Sequence, residues 1–394
     1  MENISTEDYF DKLQIPPEFR PVFLDTVPSI FWGLYEGLPM HYWEIFKLKD
    51  GAQKFLEKIK EEYADDNIIS DNAQKIWQAG ALFYRYYQSQ YHQAIKIMQA
   101  LYESMLDYQI ANKCWTHKAM PLVFIRDFYM SLSNPVLAKR FMMLALCDDS
   151  IRDFQENGRL NKDGGGTYFR LSYYHGMSDQ EIDRYAKEIY EIYKKYREQC
   201  IYPEWILQEI DNNWMTEYPS PEEVYIYTPN KYYVRHLITL LPSDKDGKVM
   251  ERIADYILSV IPGFRIYRRK KSETTDYDVI CSREGSDLDF RSELGRYIVC
   301  ECKSWSLPAD FTSVAKFSSV LDSVKSNTGL LFSKKGVSGK GKTKFAERAL
   351  LKLFQKNNIT IIVIDEKDLK DIANGENLIV MIRNKYEKIK FDLT

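Results

Sequence analysis

The pattern of apolar and polar positions changes in character near residue 215. Before it, apolar residues recur every three or four positions with few β-branched runs, which predicts helical segments near residues 50–63, 71–108, 119–148 and 178–200. The last segment opens with a capping box, because Ser178 stands three residues before Glu181 and each side chain can bond a free amide of the first turn. Residues 1–215 are therefore predicted to form an all-α domain.

These predicted helices contain a weak internal repeat. In three places an alanine stands four positions before a large residue and seven positions before a third apolar or aromatic residue: Ala94-x3-Met98-x2-Leu101, Ala138-x3-Met142-x2-Ala145 and Ala186-x3-Tyr190-x2-Tyr193. Such spacing suits the close crossings of stacked helix pairs. With Tyr91 before Ala94 it resembles the second half of a tetratricopeptide unit, although the first-helix glycine and tyrosine of that family are out of register. We expect a solenoid-like domain that senses or binds a partner.

After this predicted domain the residue pattern changes twice. Residues 216–242 contain Tyr218-Pro219-Ser220-Pro221, which is turn chemistry and predicts a linker. Residues 243–394 then alternate between helix and strand patterns. Helices are predicted near 246–261, 313–325 and 343–356, and strands at Asp276–Cys281, Tyr297–Lys303, Gly329–Ser333 and Thr360–Ile364. This order predicts an α/β/α domain around a central mixed sheet.

Composition narrows the class of protein. The 394 residues are 45% hydrophobic and 28% charged, as in ordinary globular proteins, which excludes a disordered, collagen-like or coiled-coil chain. No run approaches the ~18 apolar residues of a membrane span, and the first residues lack a secretory pattern. The six cysteines form no CxxC pair, so no structural zinc site is expected. A reducing cytoplasm and no membrane partner are expected.

The net charge of −3 is the sum of two chain segments with net charges of opposite sign. Residues 241–394 carry 28 Lys and Arg against 22 Asp and Glu, a net charge of +6, whereas residues 1–240 carry 26 against 35, a net charge of −9. The basic part is the better candidate for contact with polyanions.

The second half also holds a set of residues that could carry chemistry. In the strand Tyr297–Lys303, alternation would bury Ile298, Cys300 and Cys302 and present Glu301 with Lys303 on the opposite face. Such a pair could be a simple ion pair at the end of a sheet. An acid also stands at the start of the preceding predicted strand, where Asp276 and Asp278 are both candidates and Asp278 is preferred. Glu251 lies on the polar side of the helix predicted near residues 246–261. Converging carboxylates favour Mg²⁺ or Mn²⁺, and a nearby ammonium can offset charge that develops on a phosphate.

Two basic runs frame these residues. Arg268, Arg269, Lys270 and Lys271 precede the Asp278 strand, and Lys334, Lys335 and Lys340 lie in a segment rich in glycine and serine. Solvated charge is the ordinary explanation of such runs, but beside a metal–carboxylate site they predict contact with a nucleic-acid backbone.

Residues 246–370 resemble the restriction-endonuclease-like PD-(D/E)xK nucleases, close to their Mrr-like branch. The resemblance matches Glu251 to the acid of the first helix, Asp278 to the acid that heads the second strand, and Glu301 with Lys303 to the E-x-K. It implies that Asp278, Glu301 and the main-chain carbonyl of Cys302 bind Mg²⁺, and that Asp278, Glu301, Lys303 and Glu251 are catalytic. The literal Pro-Asp is absent, since Thr275-Asp276 stands there.

Three hypotheses follow from the sequence. The first is a Mg²⁺-dependent endonuclease that hydrolyses phosphodiester bonds, by family default in double-stranded DNA, in an architecture similar to bacterial anti-phage or restriction systems. The second is a catalytically silent nuclease fold that binds nucleic acid or a protein partner beside a helical scaffold. The third is a helical scaffold protein whose C-terminal domain only forms a homodimer.

Overall fold

The computed structural model describes residues 6–63, 68, 70–86, 90–162, 166–197, 202–211, 214, 229–261, 264–271, 276–283, 294–338 and 345–391. The chain divides into two compact units, Met1–Ile210 and Asp211–Thr394. Part of the predicted linker, residues 216–228, lies outside the described residues.

The described part of the first unit is helical. Its α-helices are α1 (Thr6–Lys12), α2 (Arg20–Asp25), α3 (Met40–Phe46), α4 (Gly51–Glu62), α5 (Asp71–Tyr86), α6 (Tyr91–Asn112), α7 (Ala119–Ser131), α8 (Pro135–Asn157), α9 (Thr167–His175), α10 (Asp179–Tyr196) and α11 (Pro203–Ile210). The segments 71–108 and 119–148, predicted to be helical, each span two helices. In the second segment, α7 and α8 are separated by a turn in which Asn134 caps α8 by accepting a hydrogen bond of 3.0 Å from the amide of Leu137. The predicted capping box at Ser178 and Glu181 is confirmed at the start of α10.

The helical unit is held together by buried aromatic rings and by small residues at helix contacts. Phe46 of α3 stacks on Phe83 of α5, with 4.2 Å between ring centroids and 12° between the ring planes. The small residues of the repeat, Ala94, Ala138 and Ala186, are fully buried, as close helix crossings require. Helices α5, α6, α7 and α8 contact one another in chain order. The described residues of this unit are thus helical as predicted, while a solenoid remains an expectation.

The described part of the second unit contains a five-stranded mixed sheet with strands in the order of the chain. The strands are β1 (Phe264–Lys271), β2 (Asp276–Arg283), β3 (Tyr297–Lys303), β4 (Thr328–Ser333) and β5 (Thr360–Ile364). Strand β2 pairs antiparallel with β1 and with β3, and β4 pairs parallel with β3 and with β5. The predicted β3 and β5 match the observed bounds, and β2 and β4 match within two residues. Strand β1 was not predicted, because its second half is the basic run.

Helices accompany these strands along the chain. They are α12 (Lys231–Leu240), α13 (Lys248–Ser259), α14 (Phe311–Ser323), α15 (Phe345–Asn357), α16 (Glu366–Ala373) and α17 (Leu378–Lys390). Helices α13, α14 and α15 confirm the three predicted helices. Helix α12 corrects the linker prediction, because residues 231–240 are helical and contact α13 and α16. The apolar side chains of Tyr233, Val234 and Leu237 are buried, so this segment belongs to the folded unit.

Apolar side chains are buried on both faces of the sheet. On one face Val299, Leu331 and Ile361 form a cluster with residues of α14 and α15, including Phe317 and Leu350. The alternate positions Cys300, Leu330 and Ile362 are fully buried as well. Helix α13 contacts β1, β2 and β3. Both faces are therefore covered, and polar groups can reach solvent at the strand ends.

No helix in the described part of the chain is both long enough and apolar enough to cross a membrane.

Candidate functional site

The predicted catalytic residues meet where β2 begins and β3 ends. The antiparallel register pairs Val279 with Cys300, so one step further along the ladder Asp278 lies beside Glu301. Residues paired in this way point to the same face of a sheet. The main-chain amide of Cys302 donates a hydrogen bond of 2.8 Å to Oδ2 of Asp278 and locks this arrangement.

Glu301 and Lys303 emerge together, as the alternation predicted. The Lys303 ammonium forms an ion pair with Oε1 of Glu301, and the two side chains are 23% and 26% exposed. Between them Cys302 points to the buried face, where burial raises the pKa of its thiol well above the ordinary value. The thiol therefore stays protonated, and Cys302 can offer a cation only its main-chain carbonyl, as the resemblance implies.

The carboxyl pKa of Asp278 is raised above its ordinary value. Its pKa is raised to about 6, mainly by burial and also by the negative charges of Glu301 and Glu251, against the lowering effects of the Cys302 amide and the Lys303 ammonium. Strong perturbation by desolvation and nearby like charge is typical of functional acids. The side chain of Asp276, the other candidate, lies outside the described residues.

Glu251 is brought to this group by the start of α13. Gly247 precedes the helix with φ of 77°, in the left-handed region that glycine adopts easily, and the amide of Glu251 bonds the Gly247 carbonyl at 3.0 Å. The carboxylate of Asp244 accepts hydrogen bonds from the amides of Val249 at 3.2 Å and Met250 at 3.1 Å. The hydroxyl of Ser304, just after β3, donates to the Asp244 carbonyl at 3.1 Å and so ties the two elements together.

The sequence analysis missed the role of Asp244. Its signal was an Asp a few residues before an amphipathic helix, which is typical of a helix cap.

The donor set can be compared with the ligands that Mg²⁺ prefers. Within the described residues, no three His, Cys, Asp or Glu side chains are grouped so that they could hold a metal ion by themselves. Mg²⁺ usually keeps several water ligands and binds proteins through one or two carboxylates. Asp278 and Glu301 are oxygen donors of this kind, and their mutual repulsion is the electrostatic situation that a divalent cation relieves. The residues fit the expected cation.

The predicted nucleic-acid-binding residues are only partly placed. Arg268, Arg269, Lys270 and Lys271 belong to the edge strand β1, but their side chains, and Lys340 altogether, lie outside the described residues. Lys334 is next to the site, since its amide bonds the Lys303 carbonyl at 3.0 Å, and its ammonium donates to the Leu241 carbonyl at 3.2 Å. The Lys335 side chain is 47% exposed and lies 3.6 Å from Glu366.

Comparison of the chain with protein-family models, with curated proteins and with solved structures finds no match.

Proposed function

We propose that the second unit is a divalent-metal-dependent endonuclease that hydrolyses phosphodiester bonds of nucleic acid, with DNA as the expected substrate. One observation carries the proposal: Asp278, Glu301 and Lys303 are brought together by the hydrogen bond from the Cys302 amide and by the Glu301–Lys303 ion pair. Asp278 is 24 residues distant from Cys302 in sequence, so this meeting depends on the fold of the sheet.

Each side chain has a distinct role in this proposal. Asp278 and Glu301, with the Cys302 carbonyl, would hold Mg²⁺ or Mn²⁺. When bound, such an ion polarises a phosphoryl oxygen and lowers the pKa of a coordinated water. Lys303 orients the attacking water and offsets the negative charge that develops on the phosphate. Glu251 adds negative charge that favours a cation at Asp278.

The helical unit has a separate role in the proposal. We expect its repeated helix contacts to form a solenoid-like surface that senses a protein, ligand or nucleic-acid feature, as in bacterial defence proteins. This part rests on architecture alone.

A second candidate function is a silent nuclease fold that binds nucleic acid or a partner without cleaving it. The observation that favours it is the Glu301–Lys303 ion pair itself, because it satisfies both charges within one strand. A purely structural pair would need neither a metal nor a substrate.

Cleavage of plasmid and of labelled oligonucleotides in Mg²⁺ and in Mn²⁺ tests the proposal. We expect Lys303→Ala and Asp278→Asn to lower the cleavage rate by about 100-fold or more, because each removes a group that acts on the transition state. Lys325→Ala is the matched control, since Lys325 is 83% exposed just beyond the end of α14 and lies 3.6 Å from the exposed Asp322. Equal cleavage by all variants would overturn the assignment, and binding without cleavage in both metals would favour the silent module.

A further inference from the structure

Large apolar side chains are exposed in the segment that follows β3. Trp305 is 50% exposed, Leu307 is 71% exposed, and Phe311, the first residue of α14, is 56% exposed. Single exposed apolar residues are common, but several within seven positions at the edge of a polar site indicate an interaction surface.

The segment is held firmly, so this exposure is part of the fold. Ser304 at its start bonds the Asp244 carbonyl at 3.1 Å. Further along, the amide of Ala309 donates to the Gly336 carbonyl at 2.8 Å, and the amide of Ser338 donates to the Ala309 carbonyl at 2.8 Å. The Asp310 carboxylate then caps α14 through the amide of Ser313 at 2.9 Å.

Trp305 lies directly beside the proposed catalytic lysine. The Nζ atom of Lys303 is 5.1 Å from the centroid of the Trp305 ring, and the same ammonium pairs with Glu301. Strands β3 and β4 are parallel, so their carboxyl ends meet at this edge. Ligands of open α/β sheets bind outside the carboxyl ends of the strands.

The charges around this surface indicate what covers it. Lys303 and the half-exposed Lys335 stand close to the carboxyl ends of β3 and β4. Lys303 is paired with Glu301 and Lys335 lies 3.6 Å from Glu366, so a second copy docked through this same patch would offer these lysines only the kinds of carboxylate that they already contact. A nucleic acid supplies phosphates for the lysines and a flat apolar base for the indole ring. In a paired duplex the bases are stacked inside, so only an unpaired base can meet the ring.

We propose that Trp305 stacks on an unpaired base next to the phosphate held at Lys303, so that the substrate class is nucleic acid with unpaired nucleotides at the cleavage position. The inference rests on the proposed function, because it takes nucleic acid as the ligand. Single strands, gaps and loops in DNA are then preferred over a fully paired duplex.

Binding of nucleic acid to the 394-residue chain, with Ca²⁺ in place of Mg²⁺, tests this inference. Fluorescence anisotropy compares a labelled twenty-nucleotide oligothymidylate with a fully paired duplex of the same length. We expect Trp305→Ala to weaken single-strand binding by about 10-fold or more, Trp305→Phe to retain most of it, and duplex binding to change by less than about threefold. Tyr297→Ala is the matched control, because Tyr297 is 49% exposed at the opposite end of β3.

Unchanged single-strand binding by Trp305→Ala would overturn the inference, as would an equal loss on both substrates. A change in self-association, measured by sedimentation without any effect on single-strand binding, would instead assign the surface to a second copy. The two proposals fail separately. If single-strand binding depends on Trp305 but no cleavage occurs in Mg²⁺, only the proposed nuclease activity is rejected. If cleavage occurs and Trp305→Ala does not change its rate, only the proposed stacking is rejected.

Discussion

The main-chain amide of Cys302 donates a hydrogen bond of 2.8 Å to Oδ2 of Asp278. This bond joins the beginning of β2 to the end of β3 and holds a partly buried carboxylate beside Glu301. Because burial and like charge raise the pKa of Asp278 to about 6, the ionised side chain lowers the stability of the fold at neutral pH. Function explains a destabilising group of this kind better than packing does.

Asp278→Asn should therefore stabilise the metal-free protein. The amide oxygen of Asn can still accept from Cys302, but the repelled charge is gone. A folded pKa above the unfolded value means that stability falls as pH rises from about 4 through 6. At pH 7.5 in EDTA we expect a gain of about 1 kcal/mol after allowance for solvent screening, which raises Tm by about 2–4 °C and shrinks at pH 5. Thermal unfolding measures this gain, with Asp322→Asn as the control variant. A Tm of Asp278→Asn below that of the unmodified chain at pH 7.5 would contradict the prediction.

Glu301→Gln should weaken binding of the divalent ion. The substitution keeps the shape of the side chain but removes an anionic donor, and we expect an affinity for Mn²⁺ at least about 10-fold lower. Isothermal titration calorimetry of the full chain gives the measurement. Glu347→Gln on the exposed side of α15 removes the same charge away from the site. Identical affinities for both variants would show that Glu301 binds no cation.

Neutralising Arg268, Arg269 and Lys270 to Gln should weaken DNA binding and flatten its salt dependence. Each phosphate contact contributes about 0.9 to the slope of log K against log salt concentration. The triple variant is expected to lower the magnitude of the slope by about 2–3. Lys54, Lys58 and Lys60 of α4, changed to Gln together, remove the same charge from the acidic unit. A slope unchanged by the first triple variant would exclude these side chains from the interface.

Gly329→Ala should destabilise the second unit. A Cβ atom on Gly329 would lie 2.7 Å from side-chain atoms of Phe317 and Leu321, so α14 would have to move away from β4. We expect a loss of about 2 kcal/mol in the free energy of unfolding. Gly33→Ala is the control, because a Cβ there meets no atom within 4 Å. Chemical denaturation compares the two, and equal stability would mean that the contact yields without strain.

His175 should make the helical unit less stable in mild acid. Burial, and then the charges of Arg126 and Lys139, lower its pKa to about 4, below the unfolded value of 6.5. The stability contributed by the neutral ring is complete above about pH 6.5 and is lost as pH falls through 4. His175→Asn should lose less stability between pH 7 and pH 5 than the unmodified chain. His92 is exposed, so His92→Asn should lose as much stability as the unmodified chain. Parallel losses for both variants would contradict the assignment.

The elements predicted correctly from sequence carry strong local signals. Strand β3 is a β-branched and cysteine-rich run with clear alternation, and α10 begins at a capping box that needs only Ser178 and Glu181. Strand β1 was missed because Arg268-Arg269-Lys270-Lys271 looks like a solvated charge run, and only pairing with β2 makes it a strand. An edge strand tolerates such charges. Helix α12 was missed because turn residues before it masked its buried face.

The sequence by itself determined which residue types could do chemistry and which face of β3 would carry them, since alternation along a strand is a local property. It did not show that Asp278 accepts a hydrogen bond from the Cys302 amide, and for Asp244 it offered only an Asp a few residues before an amphipathic helix. It contained no sign that Trp305 lies against Lys303. The tertiary structure decided these points, because strand register and loop anchoring depend on contacts between residues far apart in the chain.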